Sequence, residues 1–280
     1  MKVRFWGTRG TRPTPGPRTL RYGGNTACVE VRTGSGELII IDSGSGIAEL
    51  GSALGDRPLR AHLLITHTHW DHIQGFPFFA PNFVPGTRLT VVGPGGSMRS
   101  LQEAFADQMA PAYFPLRLEE MPAGVEFIER RAGEVFEVGG ARITPHLLNH
   151  PVATFGYRVE EAGRAFVFAT DNEPPAAGGG DGHRALVDWC RDADLLAHDA
   201  QYSADEYRSR VGWGHATFEY ALRVAHESGA GRLAFYHHDP AHSDDEVDVL
   251  VGRALDEDSR TRAGNRPEAF PAAEDRDLSV

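Results

Sequence analysis

Residues 67–72 of this chain hold three histidines and an aspartate, in the run Thr66-His67-Thr68-His69-Trp70-Asp71-His72, directly after the apolar Leu63-Leu64-Ile65. A strand that ends here constrains what can follow. Its period of two puts positions 67, 69 and 71 on one side while the chain stays extended. His72 joins them only if the backbone turns, with Asp71 at the start of a helix. Four ligand-type side chains in six residues can serve two metal ions, His67 and His69 on one, Asp71 and His72 on the other. Imidazole and carboxylate donors suit Zn²⁺, and also Mn²⁺ or Fe. Four polar side chains merely satisfied by backbone at a strand end would make no use of this spacing.

The 280 residues fit one large domain or two small ones, and 41% apolar with 24% charged residues is ordinary for a globular chain. Collagen-like, coiled-coil and wholly disordered classes are excluded. No apolar run reaches the roughly 18–20 residues of a membrane span, and the N-terminus carries no expected secretion signal. Two cysteines, Cys28 and Cys190, build neither a disulfide framework nor a multi-cysteine zinc site. They are expected as small core residues in a reducing, cytoplasmic setting. The net charge of −11 disfavours nonspecific binding to nucleic acid or anionic membrane. Residues 1–29 run the other way, with Lys2, Arg4, Arg9, Arg12, Arg18 and Arg21 and no acid. A basic entry loop on an acidic body suits a small anionic substrate, and a solvated basic N-terminus is the plainer alternative.

Hydropathy patterning predicts strands near 2–6, 26–32, 37–42, 62–66 and 88–92, a short helix at about 46–54 and another at about 97–109. Several short strands fall between 125 and 169. The last third alternates strand 194–198, helix 217–228, strand 232–236 and helix 243–254, the last opening on a capping box, Ser243-Asp244-Asp245-Glu246. Gly178-Gly179-Gly180 is expected as a surface loop, 257–265 as mobile, and Ala269-Phe270-Pro271 as a last edge strand. A single domain over 1–272 with a flexible tail at 273–280 follows. The mixture of strands and helices predicts a layered α/β domain with helices outside the sheets.

The H-x-H-x-D-H run after a strand resembles the signature of the metallo-β-lactamase superfamily. That resemblance implies an αββα sandwich with a dinuclear site along one edge of the paired sheets. Asp42, in Ile39-Ile40-Ile41-Asp42, matches the family's supporting aspartate. Asn149-His150-Pro151 is similar to the third-histidine motif of the ribonuclease Z branch, and Ala169-Thr170-Asp171 to the bridging aspartate. His237 and His238 compete for the last ligand. The ribonuclease Z pattern favours His237, which stands 22 positions after His215. The implied metal set is His67, His69 and His150 on one ion, Asp71, His72 and His237 on the other, and Asp171 between them. Ala197-His198-Asp199-Ala200 and Gly214-His215-Ala216-Thr217 resemble the paired elements that supply a proton donor in ribonuclease Z, with Asp199 where Glu usually stands. The other histidines, His62, His146, His183, His226 and His242, are expected at the surface, and His198 as structural.

Two divalent ions, zinc first, with manganese or iron as alternatives, can share a hydroxide and act as Lewis acids on a phosphoryl group. Asp71 would orient the water, and His215 held by Asp199 would protonate the departing alkoxide. Arg9 and Arg12, in a loop that resembles the first active-site loop of the ribonuclease Z group, are the expected phosphate-binding residues. Trp70 and the aromatics of 76–79 are expected to pack at the rim or to stack a base. The leading expectation is a metal-dependent hydrolase of a small phosphodiester, such as a cyclic nucleotide. Rivals are a ribonuclease acting on RNA 3′ ends, a thioesterase or lactonase, and a non-catalytic metal sensor. Usual bacterial ribonuclease Z enzymes carry a tRNA-gripping arm between the third histidine and the bridging aspartate. His150 and Asp171 are only 21 positions apart, so long nucleic acid is not the expected partner. The resemblance also implies a homodimer.

Overall fold

The computed structural model describes residues 1–95, 99–176, 179–262 and 266–280. The first half supplies six strands, β1 (Lys2–Gly7), β2 (Cys28–Arg32), β3 (Leu38–Ile41), β4 (Arg60–Leu64), β5 (Arg88–Pro94) and β6 (Gly124–Arg130). The second supplies β7 (Phe136–Val138), β8 (Ala141–Leu147), β9 (Phe155–Glu161), β10 (Arg164–Ala169), β11 (Leu195–Asp199), β12 (Arg232–Tyr236) and β13 (Glu268–Pro271), and β14 (Asp277–Ser279) closes the chain. They form two seven-stranded sheets, ordered β14-β1-β2-β3-β4-β5-β6 and β13-β12-β11-β10-β9-β8-β7. Parallel pairing runs through β3-β4-β5-β6 and through β10-β11-β12-β13.

Alternation along each strand makes this a sandwich. Ile39 and Ile41 of β3 point between the sheets, where they join Val29, Phe5, Val159, Phe168 and Tyr236 in a central core. Leu38 and Ile40 point outward and pack with Ile47 and Leu50 of α1 (Gly46–Leu54), near α2 (Trp70–Ile73), and with Phe105 of α3 (Leu101–Gln108). On the outer face of the second sheet, Val167, Leu196 and Leu233 pack against α4 (Asp181–Trp189), α6 (Phe218–Ser228) and α7 (Asp244–Thr261), with the short α5 (Ala204–Tyr207) on a connecting loop. The expected αββα layering is therefore the observed one. Each buried Phe, Leu or Ile contributes about 1.5–3 kcal/mol of transfer free energy. Cys28 and Cys190 are both buried core residues. Among the described residues, no helix is long and apolar enough to cross a membrane.

The termini differ from expectation. Residues 273–280 are not a flexible tail: Lys2, Val3 and Arg4 pair with Ser279, Leu278 and Asp277, and Leu278 joins the central core. Leu278 and Val280, two positions apart among polar neighbours, are a weak signal, but an edge strand needs only one inward side chain per two residues. Helix α7 likewise runs to Thr261. Its last turns are held by buried Asp258, which pairs with His226 at 2.8 Å; residues 263–265 of the expected mobile stretch lie outside the described residues. Helix α3 begins at Leu101 behind a Ser100 capping box, while the expected start at 97–98 lies outside the described residues, as does Gly178. The expected edge strand at 269–271 is β13.

Candidate metal centre

Strand ends deliver the site, and three of its residues pay no heed to ordinary backbone preference. Asp42 follows β3, Asp171 follows β10 and His237 follows β12, with φ of 61°, 58° and 64°. A left-handed conformation at a non-glycine residue costs of order 1–3 kcal/mol and persists where surrounding contacts over-determine it.

After β4 the chain turns as the motif spacing requires, with His69 extended and Trp70–Ile73 helical. Asp42 is buried and anchors this turn. Its Oδ1 accepts the Thr66 amide at 2.8 Å, and its Oδ2 bonds His72 Nδ1 at 2.8 Å. His72 therefore presents Nε2 to the interior, 3.3 Å from His237 Nε2 and 3.4 Å from Asp71 Oδ2. His237 is fixed by Gln201, whose Oε1 lies 2.9 Å from His237 Nδ1. Asp71 Oδ2 accepts the Thr11 amide at 2.7 Å. On the other side, His69 Nδ1 stands 3.2 Å from His150 Nε2, and His150 Nδ1 is held at 3.0 Å by the carbonyl of Gly214.

Asp171 lies between the two groups with one oxygen toward each. Oδ1 is 3.9 Å from His67 Nε2 and 3.8 Å from His150 Nε2. Oδ2 is 3.2 Å from His72 Nε2 and 3.4 Å from His237 Nε2. Burial works against charge on this carboxylate, but His237 and His72 outweigh it and hold Asp171 well below the usual carboxylate range. Burial, with the neighbouring imidazoles, pushes His67 well below the usual histidine range, so it is a neutral donor.

These residues fit a pair of metal ions. His67, His69 and His150 each offer an atom within 4.8 Å of the others, and so do Asp71, His72 and His237. His67 Nε2 is buried without a hydrogen-bond partner, a costly state for a polar atom unless something else binds it. Donors about 2.0–2.1 Å from a tetrahedral ion stand about 3.3 Å apart, the spacing of the His72–His237 and His69–His150 nitrogens.

Beside this cluster stands the acid–histidine pair. Asp199 Oδ2 accepts from His215 Nδ1 at 2.9 Å and from the Asp171 amide at 3.1 Å, while Oδ1 accepts the Ala216 amide at 2.7 Å. Burial lowers the His215 imidazolium, but the Asp199 carboxylate more than offsets it and raises His215 to about 9. A cavity of about 610 Å³ opens to one side, lined by Leu147, Asn149, Glu173, Leu186, Tyr207 and Val211 and by none of the seven expected ligands.

The family model for the beta-lactamase superfamily domain matches residues 39–238. The chain belongs to the metallo-β-lactamase superfamily. It is a metal-dependent hydrolase. Ribonuclease Z from Haloarcula marismortui is 25% identical, over 91% of each chain. Ribonuclease Z from Kineococcus radiotolerans is 28% identical, over 89% of this chain and 86% of that one. Among solved structures, the metallo-beta-lactamase fold protein YhfI from Bacillus subtilis superposes with a TM-score of 0.72 at 18% identity, over 99% and 98% of the two chains. The short form of human tRNase Z gives 0.67 at 20% identity, over 100% and 99%. Both structural likenesses speak to the fold.

Arg9 departs from expectation. Its side chain is fully buried, donating to the carbonyls of Gly23 and His242 at 2.8 Å and to Asp244 at 3.0 Å. It ties the first loop to α7, and its complete burial keeps it from a substrate. Arg12 is exposed on the loop whose Thr11 amide meets Asp71. Phe76 and Phe79 are core, while Trp70 beside His69 is 74% exposed. His238 turns away from the cluster to the carbonyl of Ala272 at 2.9 Å. His198 is buried against Asn172, as expected of a structural residue. His183 and His242 are buried rather than superficial, paired with Glu227 and Glu206 at 2.8 Å. Sequence reasoning missed Gln201, Thr66, Thr11, Glu173 and the Gly214 carbonyl. No residue pattern marks a group that acts only by holding another residue in place.

Proposed function

We propose that this chain hydrolyses a phosphodiester, a small cyclic nucleotide being the favoured substrate. The observation that carries the reading is the Asp199–His215 pair set against the ligand cluster, with His215 Nδ1 also 3.8 Å from Asp171 Oδ1. His67, His69 and His150 would hold one ion, Asp71, His72 and His237 the other, and Asp171 would bridge. Bound there, the ions supply Lewis acidity toward a phosphoryl oxygen and a water acidic enough to attack near neutral pH. Asp71 would orient the attacking water. His215 uses Nδ1 for Asp199, so Nε2 carries the proton for the leaving alkoxide. A phosphodiester needs this donor because its leaving group is a poor one, whereas a strained lactam does not.

Small size is supported by the connection between His150 and Asp171. Only Ala162 and Gly163 separate β9 from β10, which leaves no length for an arm. Arg12 is the exposed cation for the phosphate, and the net charge of −11 withholds the diffuse attraction that polyanions use. The same reading carries zinc as the metal, from the imidazole and carboxylate donors, the cytoplasm as the compartment, from the two free cysteines, and a homodimer as the assembly, from the family resemblance. A second reading, cleavage at RNA 3′ ends, is favoured by relatives named Ribonuclease Z, two of which match 91% and 89% of the chain. Those relatives weigh against dismissing RNA on charge alone.

One panel separates the readings: zinc-loaded protein against 2′,3′- and 3′,5′-cyclic nucleotides, a precursor tRNA, a thioester and a lactam at about 150 mM salt, where exposed charges reach only ~8 Å. The proposal expects the largest kcat/KM on a cyclic nucleotide. A precursor tRNA preferred by orders of magnitude overturns the small-substrate reading in favour of the second.

A further inference from the structure

We propose that Glu173 is a positioning residue that holds His150 and His215 in register with each other. Glu173 stands two residues after Asp171 and is 8% exposed. Its backbone ties down the segment before His150: the Glu173 amide donates to the Asn149 carbonyl at 2.8 Å, and Asn149 Nδ2 donates to the Glu173 carbonyl at 2.9 Å. Its carboxylate takes hold of a second segment. Oε1 accepts from the Gly212 amide at 2.6 Å and from the Tyr207 hydroxyl at 2.8 Å, and Oε2 accepts from the Gly214 amide at 2.9 Å.

Those two segments are the ones that meet at the site. The Gly214 carbonyl is the partner of His150 Nδ1, and the next residue is His215. Gly214 has φ of 89°, and a Cβ there would lie 2.1 Å from His150 Nδ1, so the contact depends on a close backbone approach. The loop has little packing of its own to keep it there. Val211 is 63% exposed and Trp213 59%, and Gly212 and Gly214 both have positive φ. Three donors converging on one buried carboxylate supply the rigidity instead, through charge-assisted bonds roughly twice as strong as neutral ones. With both oxygens occupied, Glu173 is itself neither ligand nor proton carrier.

Glu173→Gln keeps the shape but turns one acceptor into an N–H facing another N–H. One loop amide is then unpaired, and the Gly214 carbonyl is free to drift from His150. Removing an outer partner of a metal-binding histidine typically weakens metal affinity about 10–100-fold. The inference rests on the metal reading of His150 and on no substrate. Its test is a zinc titration against a chromophoric chelator, with circular dichroism to establish folding, on the parent, Glu173→Gln and Tyr207→Phe. The expected result is two zinc ions per chain in the parent, and in Glu173→Gln one ion weakened about 10–100-fold with the other unchanged. Tyr207→Phe, which removes a single donor, shifts the same ion by less. A folded Glu173→Gln protein with both affinities unchanged, or both equally weakened, overturns the inference. If Glu173→Gln does not fold, Tyr207→Phe decides on the same criterion. A parent that binds no zinc overturns the metal reading itself, and this inference with it.

Discussion

Asp199 and His215 share a 2.9 Å hydrogen bond, and the same carboxylate receives the amides of Ala216 and Asp171. The pair is thus built into the backbone of Asp171, the proposed bridging aspartate. His215→Ala should lower kcat on diesters with poor leaving groups by about 10²–10⁴-fold and leave nitrophenyl esters nearly unaffected. Equal losses on both, measured as kcat at saturating substrate, would make His215 structural.

Arg9 links buried Asp244 to two carbonyls across 235 positions of sequence. Arg9→Ala leaves that carboxylate without its cation, and breaking a buried pair costs about 3–5 kcal/mol. Urea unfolding should show the loss. An undiminished midpoint with a raised KM would instead return Arg9 to the substrate.

Arg12 is the opposite case. Exposed on the first loop, it should act on binding alone: Arg12→Ala raises KM for an anionic diester with kcat little changed. The effect should shrink between about 50 and 500 mM salt as screening increases. A salt-independent fall in kcat would contradict this.

At the start of α7, bonds from Ser243 hold the Glu246 carboxylate down to about 2, from a usual 4.5. A depressed acid stabilises the fold above its unfolded value, and that contribution fades as pH falls from about 4.5 through about 2. The parent should therefore exceed Glu246→Gln in stability at pH 7 and lose that advantage in acid. Solvent exposure keeps the difference small. A gap that widens on acidification would reverse the sign.

Ligand chemistry was legible because H-x-H-x-D-H condenses it into six residues at a strand end, and because alternating apolar residues define both sheets. Distant members came only through resemblance: nothing local tells that His150, Asp171 and His237 converge. The left-handed backbone at Asp42, Asp171 and His237 leaves no trace in composition, since these residue types occupy ordinary conformations elsewhere. Arg9 was misread because a basic residue in a glycine-rich loop looks solvent-directed until α7, more than 230 positions later, folds over it. Residues 273–280 were misread for a similar reason. Their inward side chains, Leu278 and Val280, acquire meaning only when β1 is beside them.

The central claim is a hydrolase that needs two ions held by these seven residues. Its most direct test is the hydrolysis of bis-p-nitrophenyl phosphate by metal-free protein as zinc is added, with bound metal counted at each point. Negligible activity is expected without zinc, with a rise that saturates at two ions per chain. Asp171→Ala is expected to fall short of that stoichiometry at the same free zinc. Activity that survives chelation, or saturates at one ion in the parent and in Asp171→Ala alike, would contradict it.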